Sequence, residues 1–148
     1  MGIPKGITEF KFTSALNYLS GTADRTGAIL DMLGYRGVLM IVKFAVIAPG
    51  AVTSIKAQQD TVVGFGGVQD LAGTAQTVAA DDDDQIFIID LYEPTERFVR
   101  LYVDKDATNA TAECATYIQY GAVLRPTTPT VADLVTYERH ESPAEGTA

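Results

Sequence analysis

The 148-residue chain is 47% hydrophobic and 20% charged with a mean hydropathy of +0.09, which fits one folded domain able to bury roughly 70% of its unfolded surface. Nineteen acidic against eleven basic residues leave a net charge of −8, and the lysines and arginines are scattered singly. That excludes the basic footprint of a nucleic-acid binder and argues against adhesion to an anionic membrane, while a single cysteine, Cys114, excludes an internal disulfide.

The opening "MGIPKGITEF" lacks the apolar centre of a signal peptide, and Gly6 stands where a myristoylation motif wants Ser or Thr. The chain is therefore expected to be made in a cytoplasm, with residues 1–9 a candidate N-terminal arm. Phe10, Phe12, Ser14 and Leu16 alternate, so Glu9–Tyr18 reads as a strand, and "SGTADRTG" after it as a loop. "RGVLMIVKFAVIA" shows no single apolar face and is expected to be a central strand buried on both sides. It is too short to cross a bilayer, and Pro49-Gly50 ends it in a turn. "VTSIKAQQD" places Thr53, Ile55 and Ala57 on one face and Ser54, Lys56 and Gln58 on the other. A Gly/Ala-rich excursion with short strand-like pieces follows. "QIFIIDLYE" and "RFVRLYV" read as a hairpin turning at Glu93-Pro94-Thr95-Glu96, with Val99, Leu101 and Val103 on one face. "AECATYIQYGAVL" is the last long strand, and Cys114, Thr116 and Ile118 are expected to face the core.

The expected fold is an all-β antiparallel β-sandwich, jelly-roll-like, over residues 1–124. From Arg125 the composition turns to proline and polar residues, so residues 125–148 read as an extended C-terminal arm.

Chemistry is sparse. The run Asp81–Asp84 departs from an EF-hand loop: Ile88 replaces the mid-loop glycine and the first glutamate comes too late. Adjacent aspartates on an extended chain point to opposite faces, so a solvated loop that discourages edge pairing is the preferred reading over a cation site. His140, the single histidine, lies in the arm beside Arg139 and Glu141, a poor place for an oriented base. "GFGGVQ" lacks the sixth glycine of a dinucleotide fingerprint and reads as a turn. The pairs Glu93/Glu96 and Asp104/Asp106 have no aromatic groove around them in sequence. No catalytic residue, metal or cofactor is expected, and the chain does not read as an enzyme. Arg97 and Arg100 are expected to face opposite sides, one paired with a carboxylate such as Asp90, the other reaching an acidic partner surface.

One long segment carries a resemblance. Asp90, Tyr92, Pro94, Arg97-Phe98, Arg100, Thr108-Asn109-Ala110, Tyr120-Gly121 and Arg125-Pro126 occur in this order, preceded by "GYRGV" leading into a long strand and by a second strand ending in Gln59-Asp60. Over Ile29 to Pro129 this resembles the decoration, or cement, proteins of tailed bacteriophages. The resemblance implies a β-sandwich bound in many copies to the outer surface of the virion head. Its partners would be the major capsid protein and neighbouring copies of itself, as a trimer or dimer, with no nucleic acid or membrane. The arm runs past the family's proline exit, so Arg125, Pro126, Leu134, Val135, Tyr137, Arg139 and His140 are the candidate capsid or partner contacts. A head fibre base, connector or minor tail protein is an alternative within the same class. A virion-displayed carbohydrate-binding sandwich is another, with Tyr92, Tyr102 and Tyr117 as its aromatic candidates.

Overall fold

The computed structural model describes residues 9–125 together with Thr127, Asp133, Thr136 and Glu145. Ten strand segments follow in order: β1 Lys11–Gly21, β2 Arg25–Thr26, β3 Leu30–Asp31, β4 Gly37–Ile47, β5 Thr53–Asp60, β6 Gln69–Asp70, β7 Gln76–Val78, β8 Ile86–Tyr92, β9 Phe98–Lys105 and β10 Thr111–Tyr120. One sheet has the order β1-β10-β4-β8; the second runs β2-β9-β5-β6, with β3 also on β9 and β7 also on β5. Every pairing is antiparallel. If β2 and β3 are counted as one interrupted strand, and β6 and β7 as another, the two sheets are the halves of a jelly roll. The fold is an all-β antiparallel sandwich, as the alternation of the sequence leads one to expect.

Between the sheets lie Val38, Met40, Val42 and Phe44 of β4, Ile55 and Ala57 of β5, and Val99, Leu101 and Val103 of β9, all fully buried. Phe87 of β8 meets Phe44 edge to face, with ring centroids 5.5 Å apart.

Three expectations need correction. β8 and β9 do not form a hairpin: β8 pairs with β4 in one sheet and β9 with β5 in the other. The segment from Glu93 to Arg97 is instead a crossover between sheets, with Glu93 at φ 49° and its N–H on the Arg36 carbonyl at 2.7 Å. β4 is central but not buried on both sides, because Leu39, Ile41 and Lys43 are only half-buried on the outer face. Cys114 does share a face with Thr116 and Ile118, but that face is the outer one: Glu113, Ala115, Tyr117 and Gln119 point into the core.

Those inward polar residues of β10 hold the interrupted strand in place. Glu113 Oε1 accepts from Arg25 at 2.8 Å, Gln119 Nε2 donates to the Asp31 carbonyl at 2.9 Å, and Tyr117 reaches the gap between β2 and β3. In that gap the Leu101 carbonyl takes the Gly27 N–H at 2.8 Å, while the Leu101 N–H is met by Tyr117 Oη at 2.8 Å. A core phenol thus completes the ladder where the partner strand breaks. Gly27 is required there, because a Cβ would lie 2.3 Å from Tyr117 Oη.

Candidate interaction surfaces

Of the four aspartates before β8, two serve as local caps. Asp82 accepts from the Ala79 N–H at 2.8 Å and Asp83 from the Ile47 N–H at 2.7 Å, while Lys43 donates to the Asp84 carbonyl. Among the described residues no group of three or more His, Cys, Asp or Glu side chains is arranged to hold a metal ion.

Other carboxylates do similar work. Asp106 accepts from the main-chain N–H groups of Asn109, Thr108 and Val52, which hold it well below the usual carboxylate value of 3.8. Asp60, buried at the end of β5, is lowered by the N–H groups of Val62 and Gly67 and organises the "TVVGFGG" loop. Asp24 is lowered by the Lys105 N–H and then by the Tyr102 hydroxyl, Asp31 by Arg97, and Asp70 by Lys56 and then Gln58. Arg97 forms a bidentate pair with Asp31 at 2.9 and 2.7 Å, so its partner is not Asp90. Arg100 is held by Gln58 at 2.9 Å and stacks 4.3 Å from the Phe65 ring centre.

Among the described residues, the most buried ionic group joins the two sheets at one end of the sandwich. Glu113, with no exposed surface, binds Arg25 at 2.8 Å and Lys105 at 2.9 Å, and Thr111 Oγ1 donates to its second oxygen at 3.1 Å. Lys105 Nζ also donates to the Gly21 and Thr111 carbonyls, both at 3.1 Å. Lys105 Nζ thus has three acceptors and both Glu113 oxygens are engaged, which suits a fastener. The patterning hid it, since a glutamate and a lysine in exposed-looking sequence read as solvent-facing; the signal was Glu113, Tyr117 and Gln119 spaced by two and four along one strand.

The aromatic candidates do not converge. Tyr117 is fully buried, Tyr102 lies on the outer face of the second sheet with its hydroxyl on Asp24 at 2.8 Å, and Tyr92 is exposed at the edge of the first sheet. They form no shared platform. Of the arm candidates, Arg125 is described and its guanidinium meets Glu9 at 2.7 Å; nearby, Thr127 Oγ1 donates to the Phe10 carbonyl at 2.6 Å. Pro126, Leu134, Val135, Tyr137, Arg139 and His140 lie outside the described residues.

The two outer sheet faces differ in kind. On the second sheet the outward positions of β5 and β9 are Ser54, Lys56, Gln58, Arg100, Tyr102 and Asp104. On the first sheet, register aligns Leu39 with Asp90 and Ile118, Ile41 with Ile88 and Thr116, and Lys43 with Ile86 and Cys114. Tyr120 extends this face across β4: its ring lies over Gly37, where a Cβ would be 2.2 Å from it, and its hydroxyl donates to Asp90 at 2.6 Å. Burial first, and then the Asp90 carboxylate, pushes the Tyr120 hydroxyl up to about 12. Ile86 and Ile88 are 60% and 48% exposed, so this is open apolar surface on a strongly acidic protein.

No protein-family model matches the chain, and no curated protein matches it.

Proposed function

We propose that the protein is a structural component of a tailed-bacteriophage head, bound in many copies to the outer surface of the shell and stabilising it, with the major capsid protein and neighbouring copies of itself as partners. The observation that carries this reading is where the residues of the resemblance fall. Asp90 and Tyr120 bond to each other across β4, Arg97 clamps β3, and the Thr108-Asn109 turn is capped by Asp106. Arg125 fastens the chain exit to Glu9. A set of short motifs spread over the chain thus marks the joints of one rigid sandwich, as a scaffold-preserving pattern does. A jelly roll by itself fits many roles, so the reading rests on these joints together with the resemblance.

Binding that favours the intact shell over its loosened forms stabilises it by linkage, and contacts repeated over a lattice act at high effective concentration. The test is heat release. Heads lacking the protein are warmed with and without it, and exposure of packaged DNA to a dye is followed. A saturable upward shift in release temperature is expected; an unchanged release temperature at saturating protein would sink the stabilising role.

A further inference from the structure

We infer that the outer face of the β1-β10-β4-β8 sheet is a two-fold interface between two copies of this chain. Leu39, Ile41, Ile86, Ile88 and Ile118 form its centre, and among the aligned rows of β4, β8 and β10 only Lys43 and Asp90 carry charge. A sheet face meant for water alternates to polar residues, as the opposite sheet of this sandwich does.

The positions of the two charges select the occupant. Lys43 and Asp90 lie one outward row on either side of the Ile41–Ile88 pair, on neighbouring strands. A two-fold axis in the plane of the face, passing between Ile41 and Ile88, lays Lys43 of each copy against Asp90 of the other. The same axis lays isoleucine on isoleucine at the centre. The strands of the two copies then cross within a few tens of degrees, as in aligned sheet packing. An isologous contact needs this kind of self-complementarity. Within the aligned rows the Lys43 and Asp90 charges cancel, so the centres of the two faces of a −8 chain meet without opposing charge. Lys43 Nζ gives one hydrogen bond to the Asp84 carbonyl and Asp90 accepts from Tyr120, which leaves donors and acceptor capacity for the cross-pair.

Four strands about 4.8 Å apart and four outward rows about 6.8 Å apart give a face of roughly 500 Å², so two copies cover about 1,000 Å², the lower limit for a specific interface. A reversible dimer is therefore expected, weak enough to dissociate within the concentration range of the experiment. This rests on sheet register alone and stands independently of the head reading.

The experiment is sedimentation equilibrium of the full chain over a concentration series, beside Ile88→Lys, Lys43→Glu, Asp90→Lys and the double exchange K43E/D90K. Far-UV circular dichroism and thermal unfolding confirm that each variant is folded. Expected are a monomer–dimer equilibrium, weakening by about tenfold or more in Ile88→Lys and in each single charge reversal, and recovery in the double exchange. A wild-type chain that stays monomeric throughout overturns the proposal, as does a dimer indifferent to Ile88→Lys. Failure of the double exchange to recover a dimer lost in both single variants overturns the Lys43–Asp90 pairing that defines it. If the full chain is monomeric and dimerises only when residues 128–148 are removed, the arm is the occupant. If it is monomeric and Ile88→Lys loses binding to heads, the shell protein is. Either result refutes the two-fold.

Discussion

Replacing Tyr117 by Phe removes one oxygen from the centre of the sandwich and tests how the interrupted strand is held. Tyr117 Oη is the partner of the Leu101 N–H at 2.8 Å, in a residue with no exposed surface. Its loss leaves a buried main-chain donor unpaired, which costs about 1–3 kcal/mol. Gly27→Ala makes the complementary perturbation, forcing a methyl to within 2.3 Å of the same oxygen at a cost of about 1–3 kcal/mol from overpacking. Tyr117→Phe removes the clashing atom, so the double variant should cost little more than Tyr117→Phe alone. The expected coupling is about 1–2 kcal/mol, read as a double-mutant cycle from urea unfolding followed by circular dichroism. Additive losses, or a Tyr117→Phe variant within about 0.5 kcal/mol of the parent, would refute the claim that the phenol completes the ladder.

Glu113→Ala should destabilise by about 3–5 kcal/mol, since it leaves the fully buried Lys105 ammonium without its counter-charge; adding Lys105→Met should regain part of the loss in the same unfolding assay. Asp24, Asp31, Asp60, Asp70 and Asp106 are all held below the usual carboxylate value of 3.8. Their folded state binds fewer protons than the unfolded chain in acid, so their contribution is complete above that value and is lost as pH falls through the folded values. Stability should be flat near neutrality and drop below about pH 4, with a shallower acid limb in Asp106→Asn, as pH-dependent urea midpoints would reveal. Asp83→Ala should cost about 1 kcal/mol through the Ile47 N–H, whereas Asp81→Asn should be neutral and calcium should not raise the melting temperature of the parent.

The sequence made the sandwich readable wherever side chains alternate cleanly. β9 is the clearest case, with Val99, Leu101 and Val103 inward and Arg100, Tyr102 and Asp104 outward. Three strands were harder to read. In β10 the inward face carries Glu113 and Gln119, whose polarity belongs to cross-sheet bonds, so the apparently apolar Cys114 and Ile118 looked like the core face. In β4 and β8 both faces are apolar, one for the core and one left open, and periodicity cannot tell burial from a contact surface. The short link around Pro94 looked like a turn because turn chemistry is local. Whether it joins two neighbours or two sheets depends on pairings with β4 and β5, far away in sequence. The pairs Arg25–Glu113 and Asp31–Arg97 join residues tens of positions apart, so neither partner was legible from the sequence around the other.

The measurement that tests the head reading most directly is co-sedimentation of the purified chain with phage heads lacking it, the full chain beside a version ending at Leu124. Saturable pelleting at a fixed ratio to the shell protein is the predicted result. Loss of pelleting in the short version alone would place attachment in the arm, and equal pelleting would place it on the sandwich. If neither version pellets at any concentration, the protein is not a head decoration protein and the account of its function is wrong.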